Sequence, residues 1–135
     1  MTEKLVVVIS TDTPVGVALN TAALLGVALG RANDEIVGPD TVDASGNKHA
    51  GMCTQPIPVL RASGERLHEL RDQAAARPDV AVHEMHQVAQ QARTYEQMAD
   101  TLAGTKPEDI TYLGLGLHGP KKAIDSLVGA LALYR

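Results

Sequence analysis

The chain opens its hydrophobic pattern with Leu5, Val6, Val7, Val8 and Ile9, a run with no polar member. An unbroken, largely β-branched run of that length predicts a strand buried on both faces. Thr11-Asp12-Thr13-Pro14 follows, with Thr13 suited to an N-cap and Pro14 to the first helical position. From there to about Gly30 the chain is apolar almost all round, with Asn20 and Thr21 as the strongly polar exceptions. Such a helix is expected to be covered on more than one side, by a sheet and by a partner subunit.

Residues 36–51 are rich in turn formers, notably Gly38-Pro39-Asp40 and Asp43-Ala44-Ser45-Gly46-Asn47. They predict two short strands joined by a turn at 44–47. Residues 57–61 read as a strand entered through Pro56 and Pro58, which places it at or near a sheet edge. Ser63 is positioned to cap a helix with the apolar stripe Leu67, Leu70 and Ala74, ended by Arg77-Pro78; Arg66 at the third position rules out a capping box. A strand is expected at 79–85, and 87–93 carries no clear period. Residues 94–102 read as a helix between a Thr94 cap and a Gly104 stop. Residues 110–117 form a strand that comes to alternate Gly and Leu, and Gly119-Pro120 is expected to start a last helix with the stripe Ile124, Leu127, Val128 and Leu131. The order β-α-β-β-β-α-β-α-β-α predicts a single α/β domain over 1–135, a three-layer α/β/α sandwich with a mixed sheet of at least four strands.

Composition narrows the functional classes. In 135 residues, 44% are apolar, yet Tyr95, Tyr112 and Tyr134 are the only aromatics, so the core must be aliphatic and a base-stacking surface is disfavoured. The net charge of −4, with Lys121-Lys122 the one adjacent basic pair, makes nucleic acid an unlikely partner. The single Cys53 excludes an internal disulfide and fits a reducing cytoplasm. The first apolar run is too short for a signal-peptide core, and the stretch 14–29 falls short of the roughly 20 residues that span a bilayer. A cytoplasmic protein without a membrane anchor is expected.

Tyr112-Leu113-Gly114-Leu115-Gly116, then Ile124-Asp125-Ser126-Leu127-Val128-Gly129 and Leu133-Tyr134, resembles the C-terminal strand and helix of type 2 peptidyl-tRNA hydrolases. Thr11-Asp12 with Val17-Ala18-Leu19-Asn20 is similar to that family's first strand and helix. Across its length, through Asn20-Thr21-Ala22-Ala23, Gly38-Pro39-Asp40, Pro58-Val59-Leu60 and Gly114-Leu115, the chain more closely resembles the bacterial family called domain of unknown function two thousand. The resemblance implies a peptidyl-tRNA-hydrolase-like fold and makes a homodimer the expected assembly. Departures bear on activity. The hydrolases carry a lysine-bearing loop before the first helix, whereas only Thr13-Pro14-Val15-Gly16 separates Asp12 from Val17 here. Their helical glutamine aligns with Asn20 and their histidine with Ala23. Their acidic loop falls on Gln90-Gln91-Ala92-Arg93-Thr94-Tyr95, which keeps the threonine at Thr94 but has Gln90 for the carboxylate. Ester hydrolysis needs an activated water and charge stabilisation at the oxyanion, so losing the lysine and the carboxylate implies a scaffold without the ancestral chemistry.

Candidate site residues follow from position. Asp12 lies beyond a buried strand, where ligands bind in open α/β sheets, or else caps the turn. Asn20 and Thr21 face a ligand cleft beside Thr11 and Asp12, bond a neighbouring strand, or cross a dimer contact. Lys121 and His118 flank a helix start that could attract an anion, or are simply solvated surface and a strand end. His83 and His86, three apart on a strand, point to opposite faces and do not form a metal site. Cys53 reads as an incidental thiol. The expected function is small-molecule or acyl-group binding in a cleft near Thr11, Asp12, Asn20 and Thr94, with no cofactor or metal. The alternatives are an esterase or amidase on peptidyl- or aminoacyl-tRNA, and a structural or regulatory dimer without a pocket.

Overall fold

The computed structural model describes residues 3–135. The central strand β1 (Glu3–Ser10) leads into α1 (Val15–Ala32), and a short hairpin, β2 (Thr41–Val42) and β3 (Lys48–His49), follows. Then come β4 (Val59–Ala62), α2 (Gly64–Ala75), β5 (Ala81–His86), α3 (Gln87–Gln91), α4 (Tyr95–Ala103), β6 (Tyr112–Pro120) and α5 (Lys121–Val128). The main sheet runs β4-β1-β6-β5; β1 is parallel to β4 and antiparallel to β6, which is antiparallel to β5. The sheet is therefore mixed and four-stranded, as the pattern of strands and helices predicts.

The unbroken run in β1 divides between two cores. Leu5, Val7 and Ile9 pack with Ala18, Leu25 and Leu29 of α1. Val6 and Val8 pack with Leu67 and Leu70 of α2 and Ile124 of α5 on the opposite face. Three layers result, with β1 buried on both sides.

Glycines in β6 set how closely α1 can lie. Gly116 pairs with Val7 and Gly114 with Ile9, so both glycines face α1. A Cβ on Gly114 would stand 2.7 Å from Thr21 Cγ2 and 3.1 Å from Ile9 Cδ1; one on Gly116 would stand 3.3 Å from Leu29 Cγ. The Gly-Leu alternation is thus a seat for the helix on one face and a core row of Leu115 and Leu117 on the other.

The strand then changes parity. Met85 pairs with Gly114 but His86 with Tyr112, leaving Leu113 as the extra residue of a β-bulge. Tyr112 consequently joins the α2 face while Leu113 joins the α1 face.

Several expectations are corrected. Thr13 does not cap α1; its hydroxyl donates to the Ser10 carbonyl at 3.0 Å, and Pro14 occupies the cap position with no side-chain bond. The strand β6 runs through Gly119 and Pro120, because pairing with Lys4 and Glu3 extends the ladder beyond the turn signal. An additional short helix, α3, fills the segment without a clear period, capped by His86 Nδ1, which accepts from Ala89 N at 3.1 Å. The sheet covers α1 on one side, as expected, and within the single chain the other side stands exposed, with Val15 and Leu19 each 66% exposed and Val27 72%. The Ser63 and Thr94 caps form as expected, accepting from Arg66 N and Gln97 N.

The substitution Gly114→Ala is expected to lower stability by about 1–3 kcal/mol, since the helix must lift or Thr21 must shift. Gly116→Ala should cost less, because its nearest neighbour is a Leu29 side-chain atom farther away. Urea denaturation of the two variants checks the ranking, and equal losses would show that the helix seat is not limiting.

Candidate functional site

The residues expected to form one cleft are distributed over three places. Beyond the C-terminal end of β1 lies a small cleft of about 220 Å³, lined by Ser10, Asp12, Val17, Gln87, Gln90 and Tyr112 among others. Asp12 Oδ2 accepts a hydrogen bond from Gly64 N at 3.1 Å, so its carboxylate serves the N-terminus of α2 beside the Ser63 cap. Thr11 N donates to the Ala62 carbonyl at 2.9 Å, holding the same corner. Burial, and then the negative charge of Glu84, pushes the Tyr112 phenol above its ordinary value of 10.0, so it is a neutral hydroxyl at physiological pH. No Lys, Arg or His lines this cleft.

Asn20 and Thr21, adjacent in sequence, part company on α1. The sheet-facing side is Ala18, Thr21, Leu25 and Leu29, which sends Asn20 into solvent. Thr21 is fully buried against the Gly114 seat, and its Oγ1 has no hydrogen-bond partner. Lys121 lies at the other end of the sheet, where β6 meets α5. It donates to Asp125 Oδ2, while Lys4 donates to Oδ1. The Lys121 ammonium, then that of Lys4, holds the Asp125 carboxyl below its ordinary range. Cys53 is exposed and donates to the Gln55 carbonyl at 3.1 Å.

A larger concavity lies elsewhere, and Thr94 alone of the residues expected to bind a ligand lines it. A groove of about 740 Å³ lies between α1, the edge strand β5 and the α3–α4 arm. Its floor is the consecutive run Val82, His83, Glu84, Met85 and His86, the outer edge of β5. Leu24, Leu25 and Ala28 form one wall; Met98 and Leu102 of α4 form the other, with Arg93, Thr94 and Tyr95 at the start of that helix. The opposite sheet edge is closed: the C-terminal tail runs along β4, with Arg61 N donating to Ala132 O at 2.9 Å and Tyr134 N to Val59 O at 2.8 Å. No strand covers β5 in this way among the described residues.

Helix α4 is unusual in that none of its residues is buried, although Tyr95, Met98 and Leu102 repeat at helical spacing toward the groove. Arg93 carries no ion pair among the described residues. Sequence reasoning did not assign these groove residues. The available signal was the spacing of Tyr95, Met98 and Leu102, which reads equally well as an ordinary core stripe.

His83, on the floor of the groove, stacks against His118. Register places Gly116 opposite His83 and Ala81 opposite His118, leaving room for the rings to meet with centroids 5.4 Å apart and planes at 16°. Both Nε2 atoms are enclosed without a partner, and His118 Nδ1 lies 3.6 Å from Glu3 Oε1. Burial, then the neighbouring His118, holds the His83 pKa below its ordinary value of 6.5. Among the described residues, no three His, Cys, Asp or Glu side chains converge as a metal site. His83 and His86 belong to different surroundings, one stacked on His118 and the other capping α3.

The architecture defines a mixed α/β protein with helices on both faces of a four-stranded sheet. The chain belongs to the family described as Protein of unknown function (DUF2000), whose model matches residues 3–135. Among solved structures, it is similar to Atu0240 of Agrobacterium tumefaciens strain C58, a protein of unknown function. That likeness has a TM-score of 0.90 at 20% identity and covers 100% of this chain and 99% of the other, which shows a shared fold. No curated protein matches the chain.

Because the folded-state pKa of His83 is depressed, the unfolded chain takes up the proton first as pH falls. This contribution to stability is complete above about pH 6.5 and is lost as pH drops through the depressed value. Thermal unfolding between pH 7.5 and 5 is expected to show a smaller fall in Tm for His83→Gln than for the native chain. Thr21→Val, which removes the orphaned hydroxyl at constant volume, should raise stability by about 1 kcal/mol. Chemical denaturation checks this, and a loss would show that the hydroxyl is bonded.

Proposed function

We infer that the protein binds a small molecule with an elongated apolar body and an anionic group, seated in the groove between α1, β5 and α4. The observation that carries this reading is the unburied apolar side of α4. Tyr95, Met98 and Leu102 line a groove of about 740 Å³ with no protein core to cover them. That volume lies within the usual range of small-molecule sites, which are mostly apolar with a few placed polar groups. Leu24, Leu25, Ala28 and Met85 extend the apolar lining, and Arg93 offers an uncommitted guanidinium at one side. Acyl carboxylates have this combination of tail and charge. The groove replaces the corner at Asp12 as the preferred site, with Thr94 the candidate residue common to both readings.

The C-terminal strand–helix resemblance to type 2 peptidyl-tRNA hydrolases remains part of this reading as a relation of scaffold. Hydrolysis at Asp12 is not favoured, since that carboxylate is engaged at Gly64 N and no cationic side chain lines the cleft beside it.

Decanoate serves as the test ligand. Isothermal titration calorimetry of the full chain is expected to give saturable binding, weakened at least tenfold by Met98→Asp. Arg93→Gln should weaken decanoate several-fold but leave decanol unchanged. Native mass spectrometry of freshly purified protein should show a retained acidic metabolite displaced by decanoate. Absence of saturable binding together with no retained small molecule would overturn the reading.

A further inference from the structure

The outer edge of β5 is the feature that an apolar tail and a carboxylate leave unused. Successive side chains of a strand point to opposite faces of its sheet. In β5, Val82 packs against the α2 core and Glu84 accepts from Arg71 Nε of α2 at 2.8 Å, whereas Met85 packs into the α1 core. A cavity resting on one face of the sheet would touch alternate members of this run. The groove touches every residue from Val82 through His86, whichever face each side chain takes. It therefore meets the strand edge-on, at the backbone. β5 is the last strand of its sheet, paired with β6 on its other side. An edge strand bonds its neighbour through every second residue and turns the N–H and C=O groups of the others outward. Those groups run along the floor of a groove whose walls, Leu24, Ala28, Met98 and Leu102, are apolar.

An elongated apolar body laid over that floor removes water from the outward N–H and C=O groups. A buried backbone group without a partner is costly, so the bound molecule must itself supply partners. A carboxylate is an acceptor only and can satisfy an N–H, but the outward carbonyls need a donor. Granted that the groove is the ligand site, on which this rests, we propose that its ligand is an N-acyl amino acid, whose amino-acid unit pairs with β5 as one residue of an added strand. In an extended residue the N–H and the following oxygen point to the same side. The amide N–H then donates to an outward C=O of β5, and one carboxylate oxygen accepts the N–H of the same β5 residue, as in an antiparallel ladder. The second carboxylate oxygen is left for Arg93, the one Lys or Arg side chain lining the groove. The acyl chain lies between the walls formed by α1 and α4.

Isothermal titration calorimetry of the full chain tests this with N-decanoylglycine and two controls. Tridecanoate has equal chain length but no N–H; N-decanoylsarcosine carries a methyl group in place of the amide hydrogen. N-decanoylglycine is expected to bind about tenfold tighter than either, the worth of one satisfied backbone group. A purely apolar contact would give the reverse order against tridecanoate, which buries more methylene. N-decanoylglycine should also slow amide hydrogen exchange, followed by NMR, within residues 82–86, and Met98→Asp should weaken its binding. Tridecanoate binding as tightly as N-decanoylglycine, an equal affinity for N-decanoylsarcosine, or N-decanoylglycine binding that leaves exchange in 82–86 unchanged would each overturn the proposal. Saturable fatty-acid binding that Met98→Asp weakens would, in those cases, leave the groove standing as the ligand site. Absence of saturable binding for all three acids would overturn both.

Discussion

The contact on which the rest depends is the seating of α1 against the glycines of β6. With no side chain at Gly114 or Gly116, the helix sits close enough for Thr21 Cγ2 and Leu29 to fill the space that Cβ atoms would need. A close seat fixes the rotation of the helix about its axis. Ala18, Thr21, Leu25 and Leu29 must face the sheet, and everything a half-turn away must face outward. The exposed Val15, Leu19 and Val27 follow from that geometry, as does the position of Leu24 and Ala28 on the wall of the groove. One steric fact thus creates both the concave and the apolar outer surfaces of this side of the protein.

The two edges of the sheet are treated differently, and the difference places the groove. An unpaired edge strand presents free N–H and C=O groups and must be covered or blunted. At β4 the C-terminal tail provides that cover through hydrogen bonds to Val59 and Arg61. At β5 the neighbouring element is the α3–α4 arm, tied in through Gln87 N, which donates to the Thr111 carbonyl at 2.9 Å, and through Ala89, while α4 buries none of its residues. Few buried apolar contacts mean low local stability, so α4 is the element best able to close on something bound beneath it. The bulge at Leu113 contributes by turning Tyr112 to the α2 side, where it meets the His68 ring edge-on at 5.2 Å, and Leu113 to the α1 side.

Most charged groups that attract attention in the sequence are occupied by the fold itself. Asp12 holds the first turn of α2 and Lys121 is tied with Lys4 to Asp125. Ion pairs this exposed contribute little to stability. Their engagement still matters functionally, since a group already paired has less to offer a ligand. Arg93, at the groove, and Arg31, near the end of α1, are among the several cations that form no ion pair among the described residues.

The residues alone determined the three layers, the buried strand 5–9, the edge position of the strand after Pro58, and the caps at Ser63 and Thr94. These are local matters of period, turn chemistry and hydrogen-bonding side chains. They read true because the chain's neighbours along the sequence decide them. The extent of β6 through Pro120, the partial covering of α1, the parting of Asn20 from Thr21, and the meeting of His83 with His118 were settled by tertiary structure. Each depends on which residues from distant segments come into register: Glu3 with Pro120, Thr21 with Gly114, Ala81 with His118. Periodicity states that a helix has two faces, but only the close approach of another backbone decides which one is buried.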